Sequence, residues 1–172
     1  QIRYATSTLA LTSALWGTPS TTGTLTFESD GTQTAYYQIK DIVGWLSGTL
    51  TDSIIVDTIK PIVGTITIIY PTILNYPPGT QTRAKEGDVV TIKAEVIDPG
   101  TATGIAEVKL DASSLGAEKA KLMSYAGNGI YETQVILSGT PPEIETLKTI
   151  IITASDLASN VGTNSGVVFV DN

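Results

Sequence analysis

The chain has 172 residues, ten basic against 17 acidic side chains, and neither histidine nor cysteine. Its length predicts one large or two small domains with a genuine core, and a net charge of −7 excludes the basic surface that nucleic acid binding needs. The absence of His and Cys excludes Ser-His and Cys-His nucleophiles, thiol chemistry, disulfides and ordinary zinc sites. No apolar run approaches the roughly 20 residues that are needed to cross a bilayer. We therefore predict that the protein is not an enzyme.

The first 57 residues predict short strands, less regularly than the rest. Thr-rich apolar stretches predict strands at residues 2–11, 23–28, 35–40 and 53–57, with a tight turn at 29–32. The chain begins at Gln1 without an initiator methionine or a signal-peptide pattern, which fits a processed mature chain and a cut fragment equally well. Low charge with abundant Thr and Gly is typical of a secreted β-protein.

The remainder of the chain alternates apolar and polar residues with the period of a half-buried strand. The clearest case is residues 89–96, where Val90, Ile92, Ala94 and Val96 share one face. Residues 117–122 fit either a brief helix or an edge strand. Together these patterns predict an all-β sandwich. Further strands are predicted at residues 62–70, 106–110, 131–137, 149–154 and 166–170, separated by Gly, Pro and Asn turns.

A strand–loop–strand pattern occurs twice. The first copy consists of residues 36–44 and 53–57, and the second copy consists of residues 151–159 and 167–171. The two copies place an aspartate, Asp41 or Asp156, where the first strand ends, and another, Asp57 or Asp171, after the second. This repeat indicates two related modules joined near residues 57–61.

Four segments carry a family resemblance: residues 87–98, 104–111, 127–135 and 149–171. They resemble the bacterial and archaeal immunoglobulin-like repeats of large cell-surface proteins. In that family a strand ends in a DxAGN turn and a VDTxxP linker joins successive repeats, and this chain has DLASN at 156–160 and VDTIKP at 56–61. Ser159 stands where the family has Gly, so we expect a slightly different turn. The resemblance implies an immunoglobulin-like sandwich and a cell-surface location, in a spacer, adhesin, S-layer or fibre protein.

Two domains are predicted, a small β-module at residues 1–57 and an immunoglobulin-like β-sandwich at residues 58–172. The sandwich needs about 100 residues, which only the second segment supplies. The first is a partial immunoglobulin-like module whose apolar edges need a cover. It is a compact small sandwich, a truncated piece, or a module completed by a strand from a neighbouring subunit.

The segment at residues 2–15 is the candidate for strand exchange. It is Thr- and Leu-rich, low in charge and free of Pro, which suits pairing along the open sheet edge of another subunit. Head-to-tail exchange of this kind does not close and would build a filament. The competing expectation is that the same segment pairs within its own chain.

Calcium is the expected ligand, if the module binds one. In an immunoglobulin-like sandwich the loops holding Asp98 and Asp156 lie at the pole where the chain enters, close to Asp57, with Asn160 nearby. Converging carboxylates repel unless a cation neutralises them, and Ca²⁺ takes six to eight such oxygens. The alternative is that Asp156 and Asn160 only cap a turn while Asp57 and Asp98 are solvated.

Carbohydrate binding would instead use exposed aromatic rings. Aromatic residues are only 6% of the chain, and Tyr36 and Tyr37 alternate within a strand, so at least one is expected in the core. An exposed Trp45 beside its glycine turn would favour a sugar platform. The candidate rings are Trp16, Trp45, Tyr36, Tyr37 and Tyr76.

We therefore predict a non-catalytic extracellular protein of a prokaryotic cell surface, forming a homo-oligomer or polymer such as a filament, pilus or S-layer. We predict that it does not bind nucleic acid and has no membrane-spanning segment, and glycans or the cell surface are the candidate contacts. The alternative is an adhesive or carbohydrate-binding immunoglobulin-like module of a larger secreted protein.

Overall fold

The computed structural model of the protein describes residues 1–20, 23–71, 83–100, 104–138 and 146–171. The fold is all-β, as predicted, with three antiparallel sheets. The chain divides into two compact units, Gln1–Thr58 with Gly100, and Ile59–Pro99 with Gly104–Asn172. No helix among the described residues has the length and apolarity to span a membrane.

The first unit is a three-stranded sheet and one short helix. The strands run in the order β1, β2, β3, each antiparallel to its neighbour. The helix starts where Ser7 caps it, because the Ser7 Oγ accepts the N–H of Ala10. The elements are β1 (Ile2–Ala5), α1 (Thr8–Ser13), β2 (Gly31–Ile39) and β3 (Leu50–Val56).

Two strand predictions in this unit are wrong. Residues 2–11 form a four-residue strand followed by the helix, because the cap at Ser7 ends the extended run. Residues 23–28 belong to no strand of the structure. Their Thr-rich composition favours extended backbone, but a strand also needs a neighbour to pair with.

The first unit has little interior. Among its described residues, Ala5 and Leu11 are the buried apolar side chains, both where α1 covers one face of the sheet. Cross-strand pairing places Tyr4 and Tyr37 beside Leu50, with Ile54 further along the same face. Tyr4, Leu50 and Ile54 are all exposed. A sheet with one apolar face uncovered is marginally stable by itself.

The second unit is a sandwich of two four-stranded sheets. One sheet has the order β4, β5, β9, β8 and the other the order β11, β10, β6, β7. With the two-residue β7 set aside, this is the ABED and CFG strand arrangement of an immunoglobulin constant-type domain. The strands are β4 (Ile62–Ile69), β5 (Val89–Ile97), β6 (Ile105–Asp111), β7 (Lys121–Leu122), β8 (Ser124–Gly127), β9 (Ile130–Ile136), β10 (Thr146–Asp156) and β11 (Val161–Val170).

The core of this unit follows the predicted alternation. Val90, Ile92, Ala94 and Val96 of β5 are all buried, and the intervening Lys93 pairs with Glu132 on the outer face at 2.7 Å. Inner-face residues of β10, such as Ile150 and Ile152, fill the opposite layer. Residues 117–122 do not form a helix, and their last two residues pair as the edge strand β7.

Chain entry into the sandwich is held against the β10–β11 hairpin. Pro61 is fully buried, and its carbonyl oxygen lies so close to Gly162 that a Cβ there would be 1.8 Å away. Strand β4 has a bulge after Val63. There the side-chain amide of Asn164 donates hydrogen bonds to the carbonyl oxygens of Val63, at 3.1 Å, and Gly64, at 2.9 Å. These contacts place the turn between β10 and β11 beside the entering chain.

Candidate functional site

The turn between β10 and β11 is organised by one buried carboxylate. Asp156 is 2% exposed. Its Oδ1 accepts the backbone N–H of Asn160 at 2.8 Å, and its Oδ2 accepts the side-chain amide of Asn160 at 2.9 Å. The backbone closes the same turn, with Asp156 N–H donating to the Asn160 carbonyl. Asp156 and Asn160 therefore cap this turn.

The loop between β2 and β3 repeats the hydrogen bonds that backbone N–H groups donate in this turn. Trp45 N–H donates to Asp41 Oδ1 at 2.8 Å, and Asp41 N–H donates to the Trp45 carbonyl at 3.0 Å. Gly44 N–H donates to the Asp41 carbonyl, as Ser159 N–H donates to that of Asp156. The sequence repeat is thus also a structural repeat, in which Asp41 corresponds to Asp156 and Trp45 to Asn160.

Ser159 adopts a left-handed backbone conformation that favours glycine. Its φ is 70°, against 96° for Gly44 at the corresponding position. Non-glycine residues reach this left-handed region at some cost. Within this chain, serine and glycine at the corresponding position both leave the three backbone N–H hydrogen bonds of the turn in place.

Two of the predicted calcium ligands meet within the sandwich. Asp98 directly follows β5, and one of its carboxylate oxygens lies within 4.8 Å of one from Asp156. Asp98 is half-buried and Asp156 is buried. Asn160 is bound to Asp156 through its amide nitrogen.

Asp57 lies in the first unit, directly after β3. It is buried rather than solvated, at 9% exposure. The Gly100 backbone accounts for part of this burial, since a Cβ at Gly100 would lie 2.9 Å from both carboxylate oxygens of Asp57. Asp57 is therefore buried rather than solvated as the alternative interpretation expects, whereas Asp98 is half-buried.

The aromatic candidates have different surroundings. Trp16 packs beneath two cations, with the Arg3 guanidinium and the Lys40 ammonium each 4.6 Å from its ring centre. Tyr36 and Tyr37 are half-buried in β2, so neither is a core residue. Trp45 is 77% exposed. Tyr76 lies outside the described residues.

Comparison with known proteins adds little. No protein-family model matches the chain, and no curated protein matches it. One similar solved structure contains the fibronectin(III)-like modules of Clostridium thermocellum CbhA, at 14% identity and a TM-score of 0.41. The match covers 86% of this chain and 66% of the length of that structure. Such a likeness carries no argument about function, and the immunoglobulin-like assignment rests on the strand order above.

Proposed function

We propose that this chain is a non-catalytic structural part of an extracellular prokaryotic surface protein that associates with copies of itself. The observation that supports this most directly is the incomplete first unit. Its sheet leaves Leu50 and Ile54 exposed on β3, the edge strand, and has two buried apolar side chains among the described residues. An open edge with an apolar face is a template for another chain.

The donor segment is shorter than the sequence predicts. Residues 8–13 are helical, so strand exchange would involve only β1, Ile2–Ala5. This strand also has a place in its own sheet, where Tyr4 pairs with Tyr37 of β2. We therefore infer that self-association uses the free edge of β3, with an exchanged β1 as a second route.

A lysine on the β3 edge tests this proposal. We expect the purified chain to form concentration-dependent oligomers or filaments in sedimentation velocity and negative-stain microscopy. Ile54→Lys should suppress them, because a charge on an edge strand opposes pairing. Val167→Lys is the matched control, since Val167 is 52% exposed against 55% for Ile54 but lies in the sandwich. A chain that stays monomeric, or an Ile54→Lys variant that assembles normally, contradicts the proposal.

The adhesive or carbohydrate-binding alternative has one supporting feature, the exposed Trp45. A sugar site also needs polar groups converging beside the ring. The residues before and after Trp45 are Val43, Gly44 and Leu46, which offer no polar side chain, and Asp41 Oδ1 already accepts two backbone N–H groups. The loop is therefore less suited to sugars than to an apolar environment.

We further propose that calcium binds at Asp98 and Asp156 of the sandwich. The separation of at most 4.8 Å between oxygens of Asp98 and Asp156 supports a cation between them. Asn160 is the third candidate ligand, through its amide oxygen.

Calcium should raise the melting temperature of the sandwich, and EDTA should reverse the effect. For a dissociation constant of about 10⁻⁴–10⁻³ M, 5 mM Ca²⁺ adds about 1–2 kcal/mol to the free energy of unfolding. Asp98→Ala should abolish this response, whereas Asp88→Ala, an acid outside the proposed site, should preserve it. Identical melting curves with calcium and with EDTA would remove the proposal.

A further inference from the structure

The loop between β2 and β3 ends in an exposed apolar surface. Its four apolar side chains are Ile42 (102% exposed), Val43 (72%), Trp45 (77%) and Leu46 (54%), here called the apolar tip. In the corresponding turn of the sandwich, Leu157 and Val161 stand in the places of Ile42 and Leu46, whereas Ala158 and Asn160 stand in the places of Val43 and Trp45. The shared turn therefore does not require Val43 or Trp45, because the second copy forms it without them.

The apolar tip is held rigidly before it meets any partner. The N–H groups of Val43 and Trp45 both donate to Asp41 Oδ1, and that of Gly44 donates to the Asp41 carbonyl. These donors keep their acceptors if water is removed from around the apolar side chains, provided that the exposed Asp41 carboxylate stays at a depth that water reaches. A preformed loop also loses little conformational entropy on binding.

The basic side chains of the first unit lie at the same end as the tip. Arg3 and Lys40 are the only basic residues between positions 1 and 58. The pairing of Ile2 with Ile39 places both beside the loop, and both lie over the Trp16 ring. Of the acidic residues, Asp41 lies in the loop itself beside Lys40, Asp52 lies in β3, and Glu28, Asp30 and Asp57 flank the opposite ends of β2 and β3.

We propose that the apolar tip inserts into the surface of a lipid bilayer that carries phosphate headgroups. Trp45 is suited to the membrane–water interface because its ring is amphipathic, and aliphatic side chains beside it would enter the acyl boundary. Arg3 and Lys40 would then lie at the depth of the phosphates and attract them. The tip would attach the module to a membrane surface, a role beyond self-association through β3.

A second copy of the chain fits the apolar tip less well. A two-fold contact between two tips would bring Arg3 and Lys40 of both copies together, and like charges at an interface repel. A phosphate-bearing lipid surface has the opposite charge and needs no matching cavity. The same charges predict binding that weakens as salt is added.

Vesicle sedimentation with the full chain tests the insertion. We expect it to bind vesicles of phosphatidylcholine and phosphatidylglycerol, with brominated acyl chains quenching its tryptophan fluorescence. Ile42→Ser and Trp45→Ser should each lower the vesicle partition coefficient of the chain about tenfold. Trp45→Ser should also remove the quenching, because Trp45 is the ring expected to reach the acyl chains. The fluorescence of Trp16 remains as an internal reference. Leu157→Ser, at the position corresponding to Ile42, is the matched control and should bind normally.

Charge variants and a self-association assay distinguish lipid binding from a protein interface. Arg3→Gln and Lys40→Gln should weaken binding to the anionic vesicles and reduce its salt dependence, with little effect on pure phosphatidylcholine. Absence of vesicle binding by the full chain would overturn the proposal, as would equal binding by the tip variants and Leu157→Ser. If the tip variants lose only self-association, the tip is a protein interface and the lipid proposal is wrong.

Discussion

Gly162→Ala is expected to destabilise the sandwich by about 3 kcal/mol, the upper end of the cost of overpacking. A Cβ at this position would lie 1.8 Å from the carbonyl oxygen of Pro61, and both groups belong to backbone that cannot rotate aside. Gly162 pairs with Ala154 across the hairpin, so moving it would also disturb β10. We expect the melting temperature of the second unit to fall by about 10 °C or more.

Gly64→Ala is the control for this variant. Gly64 also lies in a strand of the sandwich, but a Cβ there would be 3.5 Å from its nearest neighbour, an ordinary contact with Glu95. Its effect on unfolding should stay within about 0.5 kcal/mol. Similar melting temperatures for the two glycine variants would mean that the entering chain is not held against β11 as described.

Asp156→Ala is expected to cost about 3 kcal/mol of unfolding free energy, measured in EDTA so that no cation contributes. The carboxylate is buried and accepts two hydrogen bonds from Asn160, each to a charged acceptor. Alanine would leave both donors without these acceptors in a site that water reaches poorly. Chemical denaturation followed by circular dichroism would measure the loss.

The corresponding Asp41→Ala substitution is the matched comparison. Asp41 accepts the same backbone hydrogen bond, from Trp45, but its loop is exposed and water can replace the carboxylate. We expect a cost of about 1 kcal/mol or less, within the first unit. Equal effects of the two aspartate substitutions would show that burial does not set the strength of this turn.

The second unit was predictable because its strands obey one simple rule. Alternation over residues 89–96 predicted a buried face, and Val90 and Ile92 lie on it. The turn at Asp156 was also readable, since aspartate and asparagine four residues apart offer the acceptor and donor that the turn uses. The corresponding turn at Asp41 follows from the sequence repeat, although Trp45 takes the place of Asn160 there and cannot supply the same side-chain donor.

The first unit was predicted less well because local preference is a weak signal there. Thr-rich residues 23–28 favour extended backbone, but none of the strands pairs with them. Residues 8–13 have no charge and few clear helix signals apart from the Ser7 cap, whose effect depends on the Ala10 N–H being presented to it. Composition cannot anticipate either outcome.

Periodicity and residue type are local properties, so they are enough to predict the all-β class, the sandwich strands, the repeated turn and the absence of histidine and cysteine chemistry. Which side chains are left uncovered and which carboxylates are buried depends instead on how distant parts of the chain pack together. Asp98 and Asp156 are far apart in the chain and approach within 4.8 Å through strand order. Trp45 projects from its loop, and whether an aromatic ring is covered depends on what packs over it, which no local pattern specifies.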